Sequence, residues 1–484
     1  MKYYSTRGKS FVNSTAEALL KGLADDGGLF IPEKIEKINF NEEEIERLDY
    51  TEFAYKVIST IFDDLDKEKL KTEIEAAYDT FPKDLLPIKN VDNLYFMELF
   101  HGKTRAFKDF ALSLLPRLIK IAKEENKVDD KTLILTATSG DTGSAAISGF
   151  AAISGFAGVK DSEIIVFYPT DGISLIQRAQ MVNSGAENAT AVAIEGNFDD
   201  AQSALKKIFN DSDFKEKLKS AKYMLTSANS INVGRLVPQI AYYFYSYYKL
   251  VKNKEIENGD SVAVTVPTGN FGNILAAYFA KEMGLPIEDF ICASNKNNIL
   301  EDFINTNIYD THREFYKTNS PSMDILVSSN LERYLSLKSN NASEIESIMN
   351  DLKDTGKFEY KHDLNMHGYS CGEEETLEII DKIYKKSGYV IDTHTAVAVK
   401  AAEEYLKENN KKVLIAATAS PIKFAMEISK AIGLDLKDEK DAIEKVAKLS
   451  NDIEFLKQVD IKDGDEIVIE KENIKKFIEE RILC

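Results

Sequence analysis

Apolar residues change their spacing near residue 90, and the change divides the chain. Before it the spacing is helical. Ser14-Thr15-Ala16-Glu17 opens an apolar run through Ala18, Leu19, Leu20 and Leu23, with Glu17 three residues after Ser14 as in a capping box. Asp25-Asp26-Gly27-Gly28 breaks that helix, Leu29-Phe30-Ile31-Pro32 predicts a short extended piece, and acidic helices follow to about Tyr78. This part shows no obvious chemistry. From Leu94 short apolar runs alternate with helical patterns, and strands are predicted around Leu133-Ile134-Leu135, Ile164-Ile165-Val166, Ala189 to Ile194, Ser261 to Val266 and Lys412 to Ala416. Uniformly apolar strands separated by helices predict parallel sheets in an α/β fold. The pattern predicts a mainly helical unit over 1–92, a smaller α/β unit over 93–250 and a larger one over 251–484.

Three stretches depart from the alternation. Ile147 to Ala152 is nearly duplicated by Ile153 to Gly158, which lengthens one helix or its turn. Residues 297–371 are polar and predict an irregular excursion from the sheet. The final fifty residues, rich in Lys and Glu, predict a solvated surface.

Composition narrows the function. A net charge of −19 argues against a nucleic-acid surface, which needs clustered cations, and obliges any anionic ligand to meet a local positive or donor-rich pocket. Cys292, Cys371 and Cys484 are too far apart in sequence for a metal motif and fit reduced thiols, while five scattered histidines without an HxxxH pair argue against a zinc site. No signal-peptide core and no stretch of 18 apolar residues is present, so a cytoplasmic protein without membrane association is the expectation.

Lys108 sits between Phe107 and Phe110 in an apolar run from Ala106 to Leu118. Burial disfavours the ammonium form, and a neutral amine attacks carbonyl carbons. The competing reading is a lysine whose stem covers apolar surface while its head reaches water. Three strand–loop–helix junctions then carry unusual residues where open parallel sheets bind ligands. Val266-Pro267-Thr268-Gly269-Asn270-Phe271-Gly272-Asn273 offers glycines and a helix start, which suits one phosphate, or else is a plain tight turn. Thr138-Ser139-Gly140-Asp141-Thr142-Gly143 gathers hydroxyls and free N–H groups suited to a carboxylate, or else caps the next helix. Thr418-Ala419-Ser420-Pro421 does the same on a smaller scale. Asn229, Ser230 and Arg235 form a further donor-rich patch, suited to a second phosphate or to a surface ion pair. A lysine among aromatics, a one-phosphate cup, a hydroxyl loop and a lone threonine together describe a pyridoxal-phosphate site.

At this point the chain resembles the threonine synthase family, in the branch with a long N-terminal domain. The matching words run in order: Tyr4-Ser5-Thr6-Arg7, Gly22 to Leu29, Ala106-Phe107-Lys108-Asp109-Phe110, Thr138 to Gly143, Ile176-Gln177 with Ala179-Gln180-Met181, Gly196-Asn197-Phe198-Asp199-Asp200, Asn229-Ser230-Ile231-Asn232, Gly269 to Asn273, Ser320 to Ile325, and Ser329-Asn330-Leu331-Glu332-Arg333. The resemblance implies two α/β domains of the tryptophan synthase β-like, fold-type II class and the cofactor pyridoxal 5′-phosphate. It implies conversion of O-phospho-L-homoserine and water to L-threonine and phosphate. Carried over, Lys108 is the Schiff-base lysine, with Phe107 beside the ring. Gly269, Asn270, Phe271, Gly272 and Asn273 hold the cofactor phosphate, Thr418 meets the pyridine nitrogen, and Asp141 falls where relatives often place an asparagine. Thr138, Ser139 and Thr142 hold the substrate carboxylate and nearby oxygens; Asn229, Ser230 and Arg235 hold its phosphate. Three positions depart from the family's pattern: Val233 for a tryptophan and Ser420 for a histidine, both expected to change packing only, and Arg105 for an apolar residue, expected within reach of an anionic ligand. A phospho-lyase giving 2-oxobutyrate and a non-catalytic binding relative are the competing functions. Monomer and homodimer are both compatible with the family.

Overall fold

The computed structural model describes residues 1–138, 140–150, 161–170, 173–196, 198–209, 211–461 and 466–483. Ser139, Asn197, Cys484 and most of the duplicated segment lie outside that set.

Five strands form a wholly parallel sheet in the order Ile467–Glu470, Ala189–Glu195, Ser162–Pro169, Lys131–Ala137, Tyr223–Ser227. Six form a larger one in the order His367–Ser370, Ile287–Ser294, Val262–Pro267, Val413–Ala417, Leu94–Glu98, Ile88–Val91, parallel except for its last hairpin. The N-terminal unit combines a small antiparallel sheet (Phe11–Val12, Tyr3–Ser5, Phe30–Pro32) with the helices Thr15–Lys21, Glu42–Arg47, Tyr50–Ile61 and Lys67–Tyr78. Ser14 caps the first of these by accepting from Glu17 N at 3.1 Å, while the Glu17 carboxylate reaches Asn13 N rather than closing the box on Ser14.

Sheet membership crosses the expected boundaries twice. Leu94–Glu98, assigned from sequence to the smaller unit, pairs with Val413–Ala417 in the larger sheet; all five of its residues are buried, and only an interior position covers both faces. Ile467–Glu470 returns to the smaller sheet and covers the edge of Ala189–Glu195. The helix that follows, Ile474–Leu483, buries Ile474, Ile478 and Ile482 in one cluster with Leu133, Ile165 and Val192. The C-terminal segment is therefore part of a core and not merely a solvated surface. Residues 297–371 are also more regular than their polarity predicted. They form the helices Ile299–Thr306, Leu331–Ser339 and Ala342–Thr355, a two-stranded ribbon and the edge strand His367–Ser370. Their polarity reflects one-sided packing: of the fourteen residues in Ala342–Thr355, only Ile345 and Ile348 are buried.

One helix joins the three units. Val233–Lys252 is buried along most of its length, its first turn facing the site and its later tyrosines facing the N-terminal unit. Tyr242 stacks edge-on against Phe110, which lies with Tyr50, Tyr78 and Phe81 in one aromatic cluster, and the Tyr78 hydroxyl donates to Phe110 O at 2.9 Å. At the helix start, Asn232 accepts from Gly234 N and donates to Leu19 O, both at 2.9 Å. Gly234 allows this approach, since a Cβ there would stand 2.7 Å from side-chain carbons of Leu19 and Leu115. The helix carrying Lys108 and the segment carrying the donor patch are thus both fixed by N-terminal residues.

Candidate active site

The predicted loops converge. Val262–Pro267 and Val413–Ala417 are neighbours in the larger sheet, so the turns that follow them open on the same side, facing the turn after Lys131–Ala137. A cavity of about 820 Å³ lies between them. Every expected site residue that is described lines it: Phe107 and Lys108, Thr138, Asp141 and Thr142, Asn229, Ser230 and Arg235, Gly269 to Asn273, and Thr418.

The phosphate cup is a main-chain structure. Phe271 takes a left-handed conformation (φ 62°) and starts the helix Gly272–Glu282, leaving the first N–H groups of that helix toward the cavity. The Phe271 ring turns away, packing against Tyr334 in the core. A Cβ on Gly269 would meet Ser322 O at 2.7 Å, so only glycine fits there. Ser328 donates to Gly269 O at 2.7 Å, and Tyr243 holds the Asn273 side-chain oxygen. Asn273 Nδ2 is buried with no partner.

The lysine loop and the threonine loop are zipped together. Phe107 N donates to Thr418 O (2.8 Å), Ser420 N to Arg105 O (3.0 Å), and Ala106 bridges Ala419. Lys108 Nζ points at Asp141 Oδ2 (3.5 Å) and Ser322 Oγ (3.3 Å), with its side chain only 11% exposed. Burial pulls its amine below the ordinary lysine value, opposed only in part by Asp141. Asp141 itself accepts from Gln177 Nε2 and pairs with Lys423, both at 2.8 Å. Burial alone would raise this carboxyl, but Lys423 and Lys108 hold it well below the usual carboxylate range.

Thr138 is committed to its own turn, its hydroxyl oxygen accepting from Gly140 N and Gly143 N, both at 2.9 Å. Beyond it, Arg235 is buried. Its guanidinium donates to Ala228 O, its Nε has no hydrogen-bond partner, and it forms no ion pair with a carboxylate among the described residues. Burial pushes it down to about 10, which leaves it a cation at neutral pH. Ser230 is tied to Asn330, whose side chain donates to Ser230 Oγ and Asn270 O at 3.0 Å each, so the donor patch and the cup share a support.

Arg105 does not reach the cavity. Its Nε pairs with Asp452 Oδ1 at 3.0 Å over the Phe455 ring, and Ser420 hydrogen-bonds the other Asp452 oxygen. Two of the three departures thus share one partner, and Ser420 does more than pack. Val233 is an ordinary core residue. Sequence reasoning passed over four features of this region. Lys423 is buried against Asp141; His394 lines the cavity, accepting from Ser322 N at 3.2 Å while its other nitrogen meets Asp392 at 2.9 Å. Arg333 supports the Ser230–Ile231 turn, and the N-terminal residues Leu20 to Asp25 form one wall of the cavity.

Family models match three stretches of the chain: threonine synthase N terminus over 2–78, pyridoxal-phosphate dependent enzyme over 82–418, and threonine synthase C-terminal over 395–468. Threonine synthase of Saccharomyces cerevisiae is 35% identical over 529 residues, which cover 99% of this chain and 98% of the yeast protein. The chain belongs to the threonine synthase family. The crystal structure of threonine synthase from yeast superposes with a TM-score of 0.84 at 34% identity, covering 100% of this chain and 99% of that one. A PLP-bound threonine synthase from Brucella melitensis gives 0.83 at 33% identity over 100% and 98%. Threonine synthase-like 1 of Homo sapiens is 40% identical over 434 residues, 86% of this chain, but the chain spans only 58% of that protein's length. Membership makes the chain a fold-type II, pyridoxal-phosphate-dependent protein, as the sequence resemblance implied.

The site's own chemistry fits that cofactor. The cup offers helix N–H groups and the orphaned Asn273 Nδ2 with no carboxylate among Gly269 to Asn273, a donor set suited to a phosphate. Lys108 supplies an amine whose charged form burial disfavours.

Proposed function

We propose that the chain is a threonine synthase, converting O-phospho-L-homoserine and water to L-threonine and phosphate. Arg235 carries the reading. A buried guanidinium without a carboxylate is costly, and this one adjoins a cup already suited to one phosphate, in the cavity of the Lys108 amine. Two anion sites beside one reactive amine suit a phosphorylated amino acid as substrate.

In this reading Gly269 to Asn273 would hold the cofactor phosphate and Phe107 and Thr418 would hold the rest of the cofactor, while Asp141 faces Lys108. Bound there, pyridoxal phosphate supplies an electron sink for charge developing on the substrate carbons. Lys108 Nζ, whose charged form burial disfavours, takes the Cα proton and serves the later proton transfers at the neighbouring carbons; such transfers contribute about 10² to 10⁴ in rate. Thr142 and the turn around Thr138 orient the substrate carboxylate. Asn229, Ser230 and Arg235 hold the phosphate as it leaves Cγ, and that phosphate, still bound, assists the water that adds at Cβ. His394 is no free base for this step, because its Nε2 already accepts from Ser322 N. All of these groups come from one chain, so the reaction is compatible with a monomer or a homodimer.

Incubating the purified protein with O-phospho-L-homoserine and identifying the organic product tests the assignment. Threonine is expected; 2-oxobutyrate in its place would convert the protein to a phospho-lyase. Lys108→Ala is expected to abolish both turnover and the visible absorption that depends on a covalent link between the protein and the cofactor.

A further inference from the structure

Two lysines flank one carboxylate at the floor of the site. Lys108 faces Asp141 Oδ2 from 3.5 Å and keeps access to the cavity. Lys423 faces Asp141 Oδ1 from 2.8 Å, donates to Thr104 O at 2.8 Å, and is wholly buried. Lys423 is not among the residues that line the cavity, and it meets the site through Asp141. Thr104 is in turn fixed by Asp109, which accepts from Thr104 N (2.8 Å) and Thr104 Oγ1 (2.7 Å). Lys423 therefore joins the start of the Lys108 helix to the start of the Asp141 helix.

We propose that Lys423 is a positioning residue whose buried ammonium neutralises Asp141, so that Lys108 is left without a full-time counter-ion and its amine is free to lose a proton. The inference rests on the reading of Lys108 as the reactive amine. A buried lysine beside an unshared carboxylate would settle as a tight ion pair and stay protonated. Here the carboxylate is already engaged on its other oxygen by Lys423 and Gln177, and its contact with Lys108 is the longest of the three. The remaining charged and titratable groups facing the cluster do not alter the sign. Arg235 adds a second cation that disfavours the Lys108 ammonium, His394 lies across Ser322, and Asp109 is engaged with Thr104.

The test uses the full chain stripped of cofactor, with the rate of Lys108 acetylation by acetic anhydride followed against pH by mass spectrometry. Lys423→Met is expected to raise the pH midpoint by about one unit, slowing labelling ~10-fold at a fixed pH below both midpoints. A folded Lys423→Met chain with an unmoved midpoint overturns the proposal. Should Lys423→Met fail to fold, Lys423→Gln and Lys423→Arg isolate the same charge, the first removing it and the second keeping it beside Asp141. Lys423→Gln is expected to show the higher Lys108 midpoint of the two, and equal midpoints overturn the proposal. Lys108→Ala separates the two levels. A holoprotein of that variant that keeps its cofactor absorption removes the reading of Lys108, whereas lost absorption with unmoved midpoints in the Lys423 variants removes only the role of Lys423.

Discussion

Two buried arginines stand on either side of the Asn229–Ile231 turn, and they are opposites. Arg333 donates to Phe30 O (3.0 Å), Ser230 O (3.3 Å), Asn330 Oδ1 (2.6 Å) and Ile231 O (2.5 Å). Arg235 donates to Ala228 O and leaves Nε unused. Burial lowers both, Arg333 to about 9, yet both stay cationic at neutral pH. A satisfied guanidinium is scaffold; one left short of acceptors in a cavity wall is what the proposed function reads as a receptor. Exposure does not separate the two, since each is buried, and the count of acceptors does.

Removing each in turn sharpens that contrast. Arg333→Ala strips the donor from four acceptors and is expected to cost ~4 kcal/mol or more of stability, read from urea unfolding. Arg235→Ala is expected to lower kcat/KM for O-phospho-L-homoserine ~100-fold, about 2.7 kcal/mol of transition-state stabilisation, while the unfolding midpoint stays near that of the parent chain. If Arg235→Ala unfolds the chain and Arg333→Ala leaves it stable but inactive, the two roles are reversed. Arg105→Leu, which leaves buried Asp452 with Ser420 alone, is expected to destabilise by ~2 kcal/mol, with more than half recovered by adding Asp452→Asn. The smallest effect is a pH dependence. Asp141 has its folded pKa below its unfolded value, so its contribution is full above about pH 4 and is lost as pH falls below it. The stability gap between the parent chain and Asp141→Asn should therefore narrow between roughly pH 5 and pH 3.

Much of the site was legible because its parts follow apolar strands with residues that strands do not use. Gly269 to Asn273, Thr138 to Gly143 and Thr418 each end a strand with glycine, asparagine or hydroxyls, and a strand end in a parallel sheet is where such residues meet. Lys423 was overlooked although it carries the mark that singled out Lys108: a lysine held between apolar neighbours, here Ile422 and Phe424. Pro421, just before it, reads locally as the first turn of a capped helix. Arg333 and Arg235 look alike in sequence, because what distinguishes them is set by Phe30, Ser230 and Ile231, which are distant in the chain from Arg333. The role of the first thirty residues was hidden for the same reason. Thr6 and Arg7 bind Glu332, and Asn232 reaches Leu19, contacts that no local pattern announces. The C-terminal helix, by contrast, displayed its stripe at Ile474, Ile478 and Ile482 and was misjudged on composition alone.

The pairing of Ile467–Glu470 with Ala189–Glu195 joins residues separated by more than half the chain. During synthesis the flank of Ala189–Glu195 has to wait, open and ready to pair, until everything between has been made. Closure of so distant a contact is entropically slow. A nascent chain paused in that interval offers a bare β-edge to its neighbours, which makes this flank the place where crowded, half-made copies would first stick to one another.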